Sequence, residues 1–275
     1  MISALTKQDN GTLQLTITIP ASEVAKTREK IVEQMAQAAN IPGFRKGKAP
    51  KKLVEDKLDN EKIKEEVLKN LLPTYYVKAV EEQKIKPIMN PKIHIQTLEE
   101  GKDWQFNTLT CETPDIDLGA YKENIQKITA KAKIIIPGKE EQKPNFDDIV
   151  KALLDSVQVT IPQILLDTEV DRLLAHTIDD IKKLGLSLDQ YLSSTGRSAE
   201  SLQEEYRKKA ETDIKLEFSL VKIAETEKIV VEPKEVEEAV QAAKNPQEKA
   251  NLEKNRYMLA QILRQQKTLD FLRNL

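Results

Sequence analysis

Ile41-Pro42-Gly43-Phe44-Arg45-Lys46-Gly47-Lys48-Ala49-Pro50 separates two helical patterns, and the rest of the chain is organised around it. Pro42, Gly43, Gly47 and Pro50 forbid a continuous helix, because proline lacks an amide donor and glycine loses the most backbone entropy on ordering. The stretch is therefore a loop. No acidic residue occurs between Gln34 and Val54, whereas Arg45, Lys46, Lys48, Lys51 and Lys52 gather at the loop tip and its far shoulder. In a chain of net charge -2 this makes a local positive pole. Phe44 lies beside it, on a glycine-flanked tip with little access to a core, and an aromatic next to an arginine is the composition of a binding hot spot.

Composition alone allows a solvated interhelix connection whose glycines only turn the chain. A phosphate-cradling loop is rejected. One residue too few separates Gly43 from Gly47, and Ala49-Pro50 stands where a hydroxyl and helical amides are needed. The remaining reading is a docking tip for a polyanionic surface, with charge for steering and Phe44 and Arg45 for fit.

Gly43-Phe44-Arg45-Lys46-Gly47-Lys48-Ala49-Pro50 resembles the signature loop of the trigger factor family, bacterial chaperones at the ribosomal exit tunnel, and matches G-F-R-x-G-x-x-P at every specified position. The resemblance implies an ATP-independent chaperone that docks on the large ribosomal subunit and holds nascent or unfolded chains. Phe44, Arg45 and Lys46 would be the ribosome-binding residues, supported by Gly43, Gly47, Lys48 and Pro50. The cations would meet ribosomal RNA phosphates and acidic side chains of an exit-site protein. A ribosomal RNA-binding or ribosome-assembly factor using the same loop is the alternative, and it predicts steep salt dependence without suppression of client aggregation.

The 275 residues suit about two domains. Charged residues make up 32% and aromatics 4%, so a core must come from Leu, Ile, Val and Ala, which suits long amphipathic helices. No apolar run reaches membrane-spanning length, and Met1–Lys7 lacks the apolar segment of a signal peptide, so a cytoplasmic location without membrane association is expected. Cys111, the single cysteine, agrees with that compartment.

Asn10-Gly11 is a preferred hairpin turn, and Leu13, Leu15, Ile17 and Ile19 alternate on one face of the strand after it. From an expected cap at Ser22, Val24, Ile31, Val32 and Met35 follow helical spacing towards Asn40. A short helix is expected at 51–58. Ile63, Val67, Leu71, Tyr75 and Ala79 then mark the most periodic helix, which Pro73 should kink or split. Strand patterns return at 92–98 and 104–111. These elements predict a four-stranded α+β domain over 1–113.

Thr113-Pro114-Asp115-Ile116-Asp117-Leu118 resembles the family's linker, and an isomerase domain normally follows it. Here a helical pattern resumes at Phe146, so 114–145 reads as an extended linker and prolyl isomerase activity is not expected. From 146 to 275 the chain reads as all-α, which the resemblance implies is an elongated, client-binding domain, and the protein as mostly helical. A loop is expected at 188–197, and one terminal helix after Asn245-Pro246. His94 and His176 are far apart, Ser193 and Ser194 lack a glycine elbow, and carboxylates such as Glu65 and Glu66 sit near Lys69 on a solvated face. No metal, cofactor or catalytic residue is therefore expected. Whether the free protein forms a homodimer stays open.

Overall fold

A computed structural model describes residues 2–38, 60–132, 145–243 and 245–275. The chain forms two compact units: Met1–Thr113 with Pro162–Leu165, and Pro114–Ile161 with Leu166–Leu275.

In the first unit, β1 (Ile2–Lys7) turns through Asn10-Gly11 into β2 (Leu13–Ile19). Gly11 takes φ +75°, and the Asn10 carboxamide oxygen accepts from the Thr12 amide at 3.1 Å. A side chain at position 11 would require a left-handed backbone that only glycine adopts cheaply. With β3 (Lys92–Thr97) and β4 (Trp104–Thr110), the strands form an antiparallel sheet in the order β1-β2-β4-β3. The register sets Leu15 opposite Thr108 and Ile17 opposite Phe106. Buried residues alternate along both central strands, as a sheet with one covered face requires.

That face packs under α1 (Ala21–Ala38) and α2 (Asn60–Gln83), whose Val24, Ile31, Val32, Ile63, Val67, Leu71, Tyr75 and Ala79 complete the core. Fully burying a side chain such as Ile17 or Phe106 stabilises by roughly 1.5–3 kcal/mol before entropy is counted. Two expectations change. Helix α1 begins at Ala21, ahead of the expected Ser22 cap, because the Asp103 carboxylate from the β3–β4 turn accepts the Ala21 amide at 2.8 Å. Helix α2 is not split at Pro73. Proline removes one backbone bond and crowds the preceding turn, but the buried stripe on either side of it holds both halves to the sheet. The short helix expected at 51–58 lies outside the described residues.

The second unit starts with β5 (Ile116–Asp117), which pairs with β6 (Gln158–Val159). The linker expected to run extended over 114–145 is extended only at its start among the described residues: β5 pairs with β6, and Tyr121–Ala132 is helix because Tyr121 and Ile125 bury in this unit's core. Around it stand α3 (Tyr121–Ala132), α4 (Phe146–Ser156), α5 (Gln163–Lys183), α6 (Leu188–Thr195), the 28-residue α7 (Ala199–Thr226), α8 (Pro233–Gln241), α9 (Pro246–Lys254) and α10 (Arg256–Asn274). Tyr121, Ile125, Ile149, Leu153, Leu220, Ile223 and Leu272 form its core.

The loop expected at 188–197 is largely helix α6, so Ser193 and Ser194 are helical. Ser187 closes a capping box with Gln190, and Gly196 ends the helix at φ +63°. The expected terminal helix is two. Asn255 interrupts it, its carboxamide donating to the Asn251 carbonyl at 2.9 Å.

Candidate functional site

Gly43, Phe44, Arg45, Lys46, Gly47, Lys48 and Pro50 lie outside the described residues. The structure describes the two helices that bracket them in sequence. Arg28 of α1 ties these helices together, donating to the Asn60 side-chain oxygen at 3.5 Å and lying 3.8 Å from the Glu100 carboxylate. Beside it is a hollow of about 600 Å³ with Val24, Ala25 and Trp104 among its apolar walls and Arg28, Lys64 and Glu100 at its rim. The buried indole is fixed by donation from its Nε1 to the Glu99 carbonyl at 3.3 Å.

Among the described residues, the second unit carries exposed apolar side chains in four places, one of them Val230 between α7 and α8. Leu184, 74% exposed, leads with Leu186 and Leu188 into α6. Gly185 turns the chain at φ +74°, so Leu184, just after α5, lies beyond the helix's buried stripe. On α10, Tyr257 (80% exposed), Met258 and Ile262 face solvent while Leu259 is buried. Between α4 and α7, Phe146, Val150, Leu154 and Leu216 line an open groove of about 520 Å³ with Asp147, Lys151, Asp155, Glu211 and Lys215 at its edges. Helical periodicity shows that such stripes exist. It cannot show which of them lack a neighbour.

Polar contacts stiffen this unit. The Tyr121 hydroxyl donates to Glu227 at 2.9 Å, and Lys122 approaches the same carboxylate at 2.7 Å, joining α3 to the end of α7. Lys122 first, then Tyr121, holds the Glu227 carboxyl below its ordinary range, while burial first and the carboxylate second push the phenol up. Glu235 is likewise held low by Lys267, whose ammonium reaches both its oxygens at 2.8 and 2.9 Å.

His94 is exposed on β3, and His176 Nδ1 lies 3.0 Å from Asp180 on α5. Burial pushes the Cys111 thiol up to about 11. Among the described residues no His, Cys, Asp or Glu side chains cluster as metal ligands, and no helix is long and apolar enough to cross a membrane.

A family model described as bacterial trigger factor protein matches residues 1–141, and one described as its C-terminus matches 120–274. The chain belongs to the trigger factor family. The trigger factor of Staphylococcus epidermidis is 33% identical over 122 residues, 44% of this chain and 28% of that protein; the trigger factor of Macrococcus caseolyticus is 37% identical over 116 residues, 42% and 27% respectively. The chain thus spans little more than a quarter of the length of these curated relatives. A solved structure from work on promiscuous substrate recognition in folding and assembly by the trigger factor chaperone superposes with a TM-score of 0.67, covering 100% of this chain and 99% of that one. At 15% identity it establishes that the two share the trigger factor fold.

Proposed function

We propose that this protein is a cytoplasmic, ATP-independent chaperone that docks on the large ribosomal subunit at the tunnel exit through residues 43–50. It holds nascent or unfolded chains on its helical part and lacks prolyl isomerase activity. The observation that carries this reading is the run from Gly43 to Pro50, complete at each position of the family's signature, in a chain matched by both trigger factor models.

The roles follow from chemistry. Arg45, Lys46 and Lys48 meet phosphates and acidic side chains, Phe44 supplies apolar fit, and Gly43 and Gly47 let the backbone turn sharply enough to present them. Residues 1–113 serve as the docking domain and 146–275 as the client-binding domain, with the segment from 114 joining them and contributing α3 to the core of the second unit. The exposed apolar groups on α10, before α6 and along the α4–α7 groove support holding, since they offer short apolar surface to an unfolded chain and need no nucleotide.

Cosedimentation with purified ribosomes tests docking. The intact chain should pellet with ribosomes, and the triple variant Phe44→Ala, Arg45→Ala, Lys46→Ala should stay in solution with unchanged helical circular dichroism. Equal behaviour of the two removes the loop as the anchor. Equal binding to naked ribosomal RNA, without suppression of client aggregation, would favour the assembly-factor alternative.

A further inference from the structure

The hollow beside Arg28 is open because three of the residues around it are small. Ala21 and Ala25 stand on successive turns of α1, and a Cβ placed on Gly101, in the β3–β4 turn, would meet nothing within 4 Å. The space of about 600 Å³ is of a size that takes a small molecule. Val24 and Trp104, both buried, make its inner wall, and Ala25 is exposed at its mouth.

The rim is charged, and its charges are not equally engaged. The Arg28 guanidinium donates to Asn60 at 3.5 Å and lies 3.8 Å from the Glu100 carboxylate. Glu29, on the same rim, also has a partner. Lys64 is half-buried and stands one helical turn beyond Asn60 on the same face of α2. Its ammonium makes neither an ion pair nor a hydrogen bond among the described residues. It is the rim charge left unmatched.

We propose that this hollow binds a small amphipathic carboxylate of the class of medium-chain fatty acids. The alkyl chain would lie against Val24, Ala25 and Trp104, and the carboxylate would accept from the Lys64 ammonium. Buried methylenes supply the affinity, and the lysine sets the sign of the head group. Glu29 and Glu100 on the same rim disfavour a ligand with a second anionic group. The site uses no residue of 43–50 and depends on neither ribosome docking nor client holding.

Trp104 is the only tryptophan in the chain, so its fluorescence in the intact protein reports the hollow directly. Titration with decanoate should change the emission saturably. Decanoate should bind at least about tenfold more tightly than hexanoate, which has a shorter chain to bury, and than decanol or decylamine, which lack the anionic head. Lys64→Glu should weaken decanoate by about tenfold and bind decylamine in its place, a reversal that a folding defect does not produce. Ala25→Phe, at an exposed helix position, should fill the hollow and abolish binding with circular dichroism unchanged. Equal binding of decanoate, decanol and decylamine, or decanoate binding that survives Ala25→Phe, overturns the proposal. So does tighter binding of a capped Leu-Leu-Glu-Leu-Leu peptide, which would assign the hollow to a polypeptide.

Discussion

Gly119 shows how much one residue can fix in this protein. It adopts φ +52°, its amide donates to the Asp117 carboxylate at 2.9 Å, and a Cβ placed there would lie 2.5 Å from the Ser156 carbonyl oxygen. The obstruction is backbone and cannot swing away. Gly119→Ala should therefore destabilise the second unit by about 2 kcal/mol, read from denaturant unfolding of its helical signal. Glu227 acts through charge. Its carboxyl is held below the ordinary value of 4.5 by Lys122 and then Tyr121, so its contribution is present above that value and is lost as pH falls through the lower, folded one. In a series of melting curves from pH 7 to pH 3, the gap between the wild type and Glu227→Gln should narrow below about pH 4.5. A constant gap would show that the carboxylate is not linked to folding.

At the scale of elements, α2 carries a conflict that the sheet resolves. Pro73 is exposed and has no amide to donate in mid-helix, while Leu71 and Tyr75 beside it are buried. Pro73→Ala restores the missing amide without touching the core, and should raise stability by about 1–3 kcal/mol in equilibrium unfolding. Much at this scale was legible in the sequence. The Asn10-Gly11 turn, the alternation of Leu13 to Ile19 and the repeat from Ile63 to Ala79 each state a local geometry directly. Where reading failed, the deciding contact was distant or polar. The start of α1 depends on Asp103, remote in sequence, and α6 was obscured because its stretch is serine-rich and weakly apolar although Ser187, Gln190 and Gly196 already spelled its caps. Alternation at Ile93 and Ile95 announced a strand but could not report that the helical layer leaves them open. The loop from Gly43 to Pro50 was read from residue order alone and lies outside the described residues.

At the scale of the whole molecule, two compact units divide the chemistry, with the signature run in the sequence of one and most of the exposed apolar helix surface on the other. Replacing Tyr257, Met258 and Ile262 together with Ser removes one such surface while leaving the buried Leu259 and Leu272 in place. On the order of tenfold more protein should then be needed to suppress aggregation of a chemically unfolded client, with circular dichroism unchanged. Undiminished suppression would rule that surface out. Cys111 has a consequence of another kind. It is the only thiol in the chain, fully buried just after β4 in the first unit. Its thiolate is scarce at neutral pH in the folded state and returns towards an ordinary value of about 8.5 once exposed. A disulfide reagent added under native conditions therefore becomes a clock for the opening of the first unit, in which this thiol is buried. Timed against denaturant, it should separate fraying at the end of β4 from loss of the whole sheet, without an engineered label.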